Sequence, residues 1–206
     1  MYGNLNYWLM LLVLLASSNM AIADTSPAPQ SITNQGIGTW QIGLGIGQSK
    51  LNANQNNLND SFSSTTSTSS YNNDGFMFRV VGRYNFDPFL GLEFGIVDLG
   101  NTIATTNNID SKLFSTLSGF VSTTMSMHYK ENIAIYAKIG AHFWSQDLNA
   151  NKNLADGTNL MLGAGILFNI YGGTNRMMSI DWDHYQFDGV YLESIDAFSV
   201  NLVFNF

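Results

Sequence analysis

Six charged residues stand inside segments that otherwise alternate apolar residues with small or polar ones. Arg79 and Arg83 are four positions apart, and Asp181 and Asp183 are two positions apart. In an extended strand, both spacings place the two side chains on the same face. A charge on an inward face needs a partner of opposite sign, because an unpaired buried charge is strongly destabilising. The residues predicted to share one interior are three bases and three acids: Arg79, Arg83, Glu93, Lys138, Asp181 and Asp183.

Two roles fit these six residues if the segments close into a narrow barrel. They could form a structural ion-pair network that plugs the interior, or a gate that opens when the pairs exchange. An eight-stranded barrel has an interior only wide enough for side chains. The plug is therefore the favoured interpretation, and the gate is the alternative.

The other residues with catalytic potential form no recognisable site in the sequence. His128, His142 and His184 lie in different segments and lack the spacing of a zinc site, so neither a metal nor a cofactor is predicted. No catalytic residue is predicted, although a Ser–His–acid triad assembled only in the folded protein stays open. The glycines at positions 43, 45 and 47 alternate within a strand and do not precede a helix, which indicates interior spacers and not a nucleotide-binding loop.

Strands must position these residues, because the pattern beyond position 36 has a period of two. In one segment Phe76, Phe78 and Val80 share a face, and Arg79 and Arg83 share the opposite face. Eight strands are predicted: Thr39 to Gln48, Phe76 to Phe86, Phe89 to Asp98, Leu113 to Tyr129, Ile133 to Trp144, Leu160 to Ile170, Met178 to Asp188 and Ile195 to Phe206.

The seventh strand departs from this alternation. Beyond His184, the aromatic residues Tyr185 and Phe187 fall on the face that is polar earlier in the strand. A β-bulge, or an early end of the membrane zone, is expected there.

Composition decides which face points outward. Charged residues make up only 11% of the chain, and the face opposite the apolar one consists mainly of glycine and small polar residues. A soluble β-sandwich, the alternative fold, protects its surface and edges with many charges. A membrane barrel turns its apolar face to lipid and its small polar face to the lumen. The sequence therefore predicts an all-β, eight-stranded, antiparallel up-and-down transmembrane β-barrel.

The connections and the aromatic residues predict how this barrel is oriented. Predicted connections alternate between long and short, as in membrane barrels with extracellular loops and tight periplasmic turns. Four aromatic residues face outward near the predicted periplasmic ends, where an interfacial girdle belongs. They are Trp40, Phe86, Tyr129 and Phe204.

The N-terminal segment predicts export. An apolar run from Tyr7 to Ala16 precedes an Ala21-Ile22-Ala23 pattern that is typical of signal-peptide cleavage. The chain has no cysteine, which agrees with an oxidising compartment. We predict a signal peptide over residues 1–23, a flexible lead-in over 24–35 and the barrel over 36–206. The expected location is the outer membrane of a Gram-negative bacterium.

Several segments resemble the OmpA/OmpX family of outer-membrane barrels. The stretch 82–100, GRYNFDPFLGLEFGIVDLG, resembles the second hairpin of that family. The stretches NIAIYAKIGAHFW, at 132–144, and SIDWDHYQFD, at 179–188, are similar to its fifth and seventh strands. The resemblance covers about 36–206 and no peptidoglycan-binding domain is expected, because the chain stops at the last strand.

The resemblance implies roles for four residues. The terminal pair Phe204 and Phe206 looks like the signature that the barrel-assembly machinery reads. Inward charges that match Glu93 and Asp181 are implicated in gating in that family.

The predicted function is an integral outer-membrane barrel with a structural or surface-interaction role, its lumen plugged or weakly gated by inward ion pairs. The alternatives are a narrow porin for ions and very small solutes and, less favoured, a lipid-modifying enzyme. The expected partners are outer-membrane lipid and lipopolysaccharide, the export and barrel-assembly machinery, and an extracellular ligand at loops 52–74 and 101–112. A net charge of -7 argues against nucleic acid.

Overall fold

The fold is taken from a computed structural model of the chain. The described residues are 38–53, 69–72, 74–106, 109–130, 132–148, 152–170, 176–188 and 192–206. The predicted signal peptide and lead-in lie outside these ranges. Within them, no helix is long and apolar enough to cross a membrane.

The described chain forms one antiparallel sheet in which eight long strands close into a barrel. Consecutive long strands pair with each other, and the first long strand pairs with the last. The strands are β1 (Thr39–Ala53), β2 (Ser69–Asn72), β3 (Asp74–Asn85), β4 (Leu90–Thr106), β5 (Ile109–Lys130), β6 (Ile133–Leu148), β7 (Lys152–Asn169), β8 (Arg176–Gln186) and β9 (Leu192–Asn205). The short β2 pairs only with the far end of β4. The predicted eight-stranded up-and-down barrel is confirmed.

The two faces of the sheet differ as the alternation predicted. On β3, Met77 and Arg79 are buried, whereas Phe76 and Phe78 are exposed. The predicted girdle residues Trp40, Phe86 and Tyr129 are likewise exposed near one end of the barrel. Because large apolar residues cover the outside, the outer surface suits lipid and not water.

The two ends of the barrel differ in how the strands are joined. At one end, which we call the tight-turn end, four residues separate β3 from β4 and two separate β5 from β6. The predicted loops at the other end, which we call the hairpin end, are mostly strand. β4 runs to Thr106 and β5 starts at Ile109, so the loop predicted over 101–112 is corrected to a β-hairpin. Likewise, β6 ends at Leu148 and β7 starts at Lys152.

The sequence shows no alternation of apolar and polar residues in these hairpin ends, because both faces of the strands are polar beyond the membrane zone. Strand pairing continues there without an apolar stripe, since backbone hydrogen bonds do not depend on side-chain polarity. The loop predicted over 52–74 also contains strand residues, namely the end of β1, all of β2 and the first residue of β3.

The expected break in β8 is absent. Pairing between β8 and β9 runs in unbroken register from Arg176 to Gln186. Tyr185 and Phe187 point inward and are buried, with exposed fractions of 0% and 7%. The prediction of a bulge was wrong because it assumed a polar lumen throughout, and the lumen is apolar at this height. The other predicted explanation, an early end of the membrane zone, agrees with the polar outward residues His184 and Gln186 that follow Trp182.

Glycines make room for large side chains inside the narrow barrel. A Cβ atom on Gly165 would lie 2.6 Å from the Tyr136 ring, and one on Gly157 would lie 2.8 Å from the Trp144 ring. Gly165 pairs directly with Tyr136 and Gly157 with Trp144 across β6 and β7. Each ring therefore covers a glycine on the neighbouring strand, an arrangement that also fixes the strand register.

Candidate functional site

The six predicted charges meet at one level of the lumen, and we call this group the lumen network. Arg79 and Arg83 lie on β3, Glu93 on β4, Lys138 on β6, and Asp181 and Asp183 on β8. Each residue is at most 8% exposed. Strand register and strand order bring these side chains together. Arg83 is the direct cross-strand partner of Glu93, and β8 faces β3 and β4 across the barrel.

Glu93 bridges the two arginines. One of its oxygens accepts hydrogen bonds from Arg83 Nε and NH2 at 3.0 and 2.5 Å. Its other oxygen accepts from Arg79 NH2 at 3.1 Å. Arg79 NH1 donates to Asp183 Oδ2 at 2.5 Å. Charge-assisted bonds of this kind are the strong ones, and arginine can make several in one plane.

Lys138 joins the three acids from the opposite side. Its Nζ lies 3.0 Å from Asp181 Oδ1 and 3.4 Å from Glu93 Oε1, with hydrogen-bond geometry in both cases. The contact with Asp183 Oδ1, at 2.6 Å, is an ion pair without hydrogen-bond geometry. Three positive and three negative charges therefore balance inside the barrel. Such balance is what makes burial of six charges tolerable, because each ion has a partner in the same low-dielectric space.

Three neutral residues complete this network, and none of them stands out in the sequence. Tyr136 donates its hydroxyl proton to Asp181 Oδ1 at 2.5 Å, and Arg83 stacks on its ring at 4.3 Å. Ser179 and Asn201 donate to Asp181 Oδ2 at 2.6 and 2.5 Å. All three lie on inward positions, so strand parity could have included them. Nothing in the alternation showed which inward polar residues share a level with Asp181.

Apolar residues also pack in the lumen on both sides of this network. Towards the tight-turn end lies a small cluster whose buried members are Ala134, Tyr136, Leu167, Met177 and Val203. Towards the hairpin end lies a larger group, which we call the apolar cap: Leu51, Met77, Val97, Leu99, Phe120, Trp144, Met161, Tyr185, Phe187, Leu192, Ile195 and Ala197. Val81 packs against the same cluster but lies between Arg79 and Arg83 on β3, at the level of the network. The expected lumen of small polar residues is therefore found only in part.

The three histidines occupy three separate places, as their different segments predicted. His128 lines a polar recess at the tight-turn mouth, and His142 lies inside the barrel beside the apolar cap. His184 faces outward near the hairpin end, 2.8 Å from Asp196. Among the residues that the structure describes, no three His, Asp or Glu side chains are grouped so that they could hold a metal ion.

One Ser–His pair has the geometry to suggest nucleophilic chemistry, but its surroundings do not. Ser118 Oγ lies 3.1 Å from His142 Nδ1, and His142 Nε2 lies 2.6 Å from the backbone oxygen of Gln186. A nucleophilic triad orients its histidine with a carboxylate and exposes its serine to substrate. Ser118 is fully buried and the third partner is a peptide carbonyl, so the arrangement ties β5, β6 and β8 together.

The predicted C-terminal pair lies at the tight-turn end. Phe206 is exposed, and its backbone N–H donates to the carbonyl of Trp40 at 2.9 Å, which ties the end of the chain to β1. Phe204 is half-buried and faces Ile42 across the seam that closes the barrel.

Comparison with known proteins agrees with this architecture. A family profile described as the OmpA-like transmembrane domain matches residues 35–183. A search of curated protein sequences found no match.

Solved structures share the fold at low sequence identity. OprG from Pseudomonas aeruginosa is similar with a TM-score of 0.56 and 13% identity, over 87% of this chain and 99% of that one. The N-terminal β-barrel domain of OprF from the same organism has a TM-score of 0.52 and 12% identity, over 84% and 100%. Ail of Yersinia pestis has a TM-score of 0.50 and 15% identity, over 83% and 100%. With most of its length matched by the family profile, this chain belongs to the family of OmpA-like transmembrane domains.

Proposed function

We propose that this protein is a non-enzymatic, integral outer-membrane barrel with a structural or surface-interaction role, and that its filled lumen passes no solutes. The observation that carries the proposal is the neutral, fully buried lumen network of three bases and three acids. A pore must let water and ions through, whereas here every charged group is held by its neighbours. Eight strands leave an interior that side chains alone can fill.

The outer surface supports insertion into a bilayer. Along β6, the outward residues Ile135, Ile139 and Phe143 are exposed, and Ile133 to Phe143 spans the 9–11 residues that a tilted membrane strand needs. OprG is an outer-membrane protein with the same fold. We propose the same location for this chain, with the tight-turn end in the periplasm and lipopolysaccharide against its outer surface.

Export and assembly follow from that location. The apolar segment before position 24 would direct the chain across the inner membrane and then be removed. The terminal residues Phe204 and Phe206 would be the contact for the barrel-assembly machinery. Both roles are proposals that rest on the sequence pattern.

The surface role belongs to the hairpin end, within 52–74 and 101–112. Around the hairpin end as a whole, the exposed acids include Asp74, Asp98, Asp156 and Glu193, and Lys50 is the exposed base among the side chains described at that end. Ail has been solved in complex with the heparin analogue sucrose octasulfate. Like charges repel, so we do not extend a polyanionic ligand to this chain and expect a neutral or cationic partner.

Liposome swelling tests the proposal against the narrow-porin alternative. The refolded barrel, residues 24–206, is incorporated into liposomes, which are then diluted into isotonic solutions of small sugars and amino acids. We expect no swelling above that of protein-free liposomes, while a general porin in parallel liposomes swells at once. Swelling with the smallest solutes would show that the lumen passes solute and would establish the porin in place of the filled barrel.

A further inference from the structure

We infer that the lumen is closed twice in series, and that the apolar cap is a barrier to ions in its own right. Opening the lumen network alone would then not open a channel. This inference rests on the proposed filled barrel and deepens it, because it locates a second closure that any gate must also release. The cap contains no charged residue among its buried members.

The cap spans the whole cross-section of the barrel. Each of the eight long strands, or the residue just after it, contributes at least one buried side chain to it. Leu51 comes from β1, Met161 from β7, and Leu192, Ile195 and Ala197 from β9, all of them at most 1% exposed. Apolar side chains therefore enter this part of the lumen from every strand, and on β5 Phe120 interrupts the polar inward row of Thr116, Ser118, Ser122 and Thr124.

The cap lies directly above the lumen network on the strands that carry its charges. On β8, the inward positions after Asp181 and Asp183 are Tyr185 and then Phe187. On β4, the inward residues Val97 and Leu99 follow Glu93 in the same direction and are fully buried. The polarity of the lumen therefore changes from charged to apolar within one or two inward positions on these strands.

The buried polar groups in this zone differ: His142 is engaged, whereas Thr116 Oγ1, Gln146 Nε2 and the Tyr185 hydroxyl have no hydrogen-bond partner among the described residues. His142 holds Ser118 and the Gln186 carbonyl through its two ring nitrogens. Its ring centroid also lies 5.2 Å from that of Tyr185 and 5.0 Å from that of Phe187. These rings make the constriction predominantly apolar, and apolar constrictions block conduction by excluding water.

The lumen network and the apolar cap are in contact, but the Tyr185 hydroxyl of the cap takes no part in the hydrogen bonds of the network. Arg79 lies under the Phe120 ring, 5.4 Å from the ring centroid. The buried hydroxyl of Tyr185, two residues from Asp183, has no hydrogen-bond partner among the described residues. If the ion pairs of the lumen network exchange, the Tyr185 hydroxyl therefore loses no hydrogen bond. The Tyr185 ring is held by its packing in the cap.

Planar-bilayer conductance of matched variants tests the inference. Glu93→Ala opens the network, and Trp144→Ala with Phe187→Ala empties the cap, where the two rings lie 5.1 Å apart. We expect both variants to stay silent and the combination of all three substitutions to give steady channels. Phe143→Ala is the control, because Phe143 precedes Trp144 on β6 but is exposed on the outer face. It should stay silent when it is combined with Glu93→Ala.

The remaining outcomes distinguish failure of the proposed function from failure of the two-barrier inference. Channels from the unaltered barrel would contradict the proposed function itself. A silent unaltered barrel with channels from Glu93→Ala alone would overturn the inference, since the network would be the single barrier. Channels from the cap variant alone would also overturn it, and so would silence of the combined variant once its insertion is shown by heat-dependent gel migration. If the triple variant does not fold, Glu93→Gln with Phe187→Ala makes the same comparison with smaller losses of volume.

Discussion

At the scale of single residues, Glu93 holds the centre of the lumen network. Its two oxygens contact Arg79, Arg83 and Lys138, which are all of the bases in the network. Removing one partner from a buried ionic group leaves an uncompensated charge, which is far more destabilising than losing an exposed ion pair. Stability of the barrel should therefore depend on this carboxylate more than on any acid at the hairpin end.

Glu93→Gln keeps the volume of the side chain and removes its charge. We expect the free energy of unfolding to fall by about 3–5 kcal/mol, because one positive charge of the network is left without a partner. Urea unfolding of the barrel in lipid vesicles, followed by tryptophan fluorescence, measures this change. The matched control is Glu193→Gln at the exposed residue Glu193, which should change stability by no more than about 0.5 kcal/mol. Equal effects of the two substitutions would contradict the network.

Tyr136→Phe removes one hydroxyl from the same network. Its hydrogen bond to Asp181 is lost while the ring beneath Arg83 and over Gly165 stays. Bonds to charged groups contribute about 1.5–3 kcal/mol, so we expect a loss of that size in the same unfolding assay. Tyr84→Phe, on the outer face, serves as the control. An unchanged midpoint for Tyr136→Phe would show that Asp181 does not depend on this donor.

The charges could be predicted and their neutral partners could not. Spacing along a strand puts Asp181 and Asp183 on one face, and that much is visible in the sequence. The level at which Tyr136 meets Asp181 depends on the relative register of β6, β7 and β8. Register arises from the turns and from glycine–ring pairs such as Gly165 with Tyr136, which alternation within a single strand does not contain.

At the scale of elements, the membrane-spanning parts of the strands were predictable and their ends were not. Apolar residues at every second position mark a strand only where lipid requires them. Beyond that zone β4 and β5 continue as a polar hairpin to Thr106 and Ile109, which composition alone made look like a loop. In β8 the register continues without the bulge that Tyr185 and Phe187 suggested, because the interior at that height is apolar.

Tolerance of a side chain should differ between the inward glycine Gly140 and the outward glycine Gly119. A Cβ atom on Gly140 would overlap the carbonyl oxygen of Val121, whereas one on Gly119 would have as its nearest neighbour the Gly95 oxygen at 3.8 Å. We expect Gly140→Ala to destabilise the barrel by about 1–3 kcal/mol through overpacking. Gly119→Ala should be neutral within about 0.5 kcal/mol. Refolding yield and urea midpoints compare the two, and equal tolerance would contradict the packing of β5 against β6.

At the scale of the whole molecule, the lumen is layered. An apolar cluster, the charged network and the apolar cap follow each other along the barrel axis. The fold class, the two faces and the inward direction of the six charges follow from periodicity and composition. The layering does not, because it depends on which inward residues of eight strands come to the same height.

Assembly of the whole barrel should depend on the end of the chain. Phe206→Ala removes an exposed terminal aromatic side chain that the resemblance assigns to recognition by the assembly machinery. We expect several-fold less folded protein in the outer-membrane fraction of expressing cells, with unchanged refolding in detergent. The control is Phe89→Ala, at an exposed phenylalanine in the turn before β4. A normal yield for Phe206→Ala would remove the assembly role.

Single-channel conductance of the unaltered protein shows whether this barrel is filled. Residues 24–206 are refolded, shown to be inserted by heat-dependent gel migration, and added to a planar bilayer. We expect silence over the whole range of applied voltage, because the charged network and the apolar cap both obstruct the lumen. Steady unitary steps from a demonstrably inserted barrel would contradict this expectation and would make this protein a narrow pore.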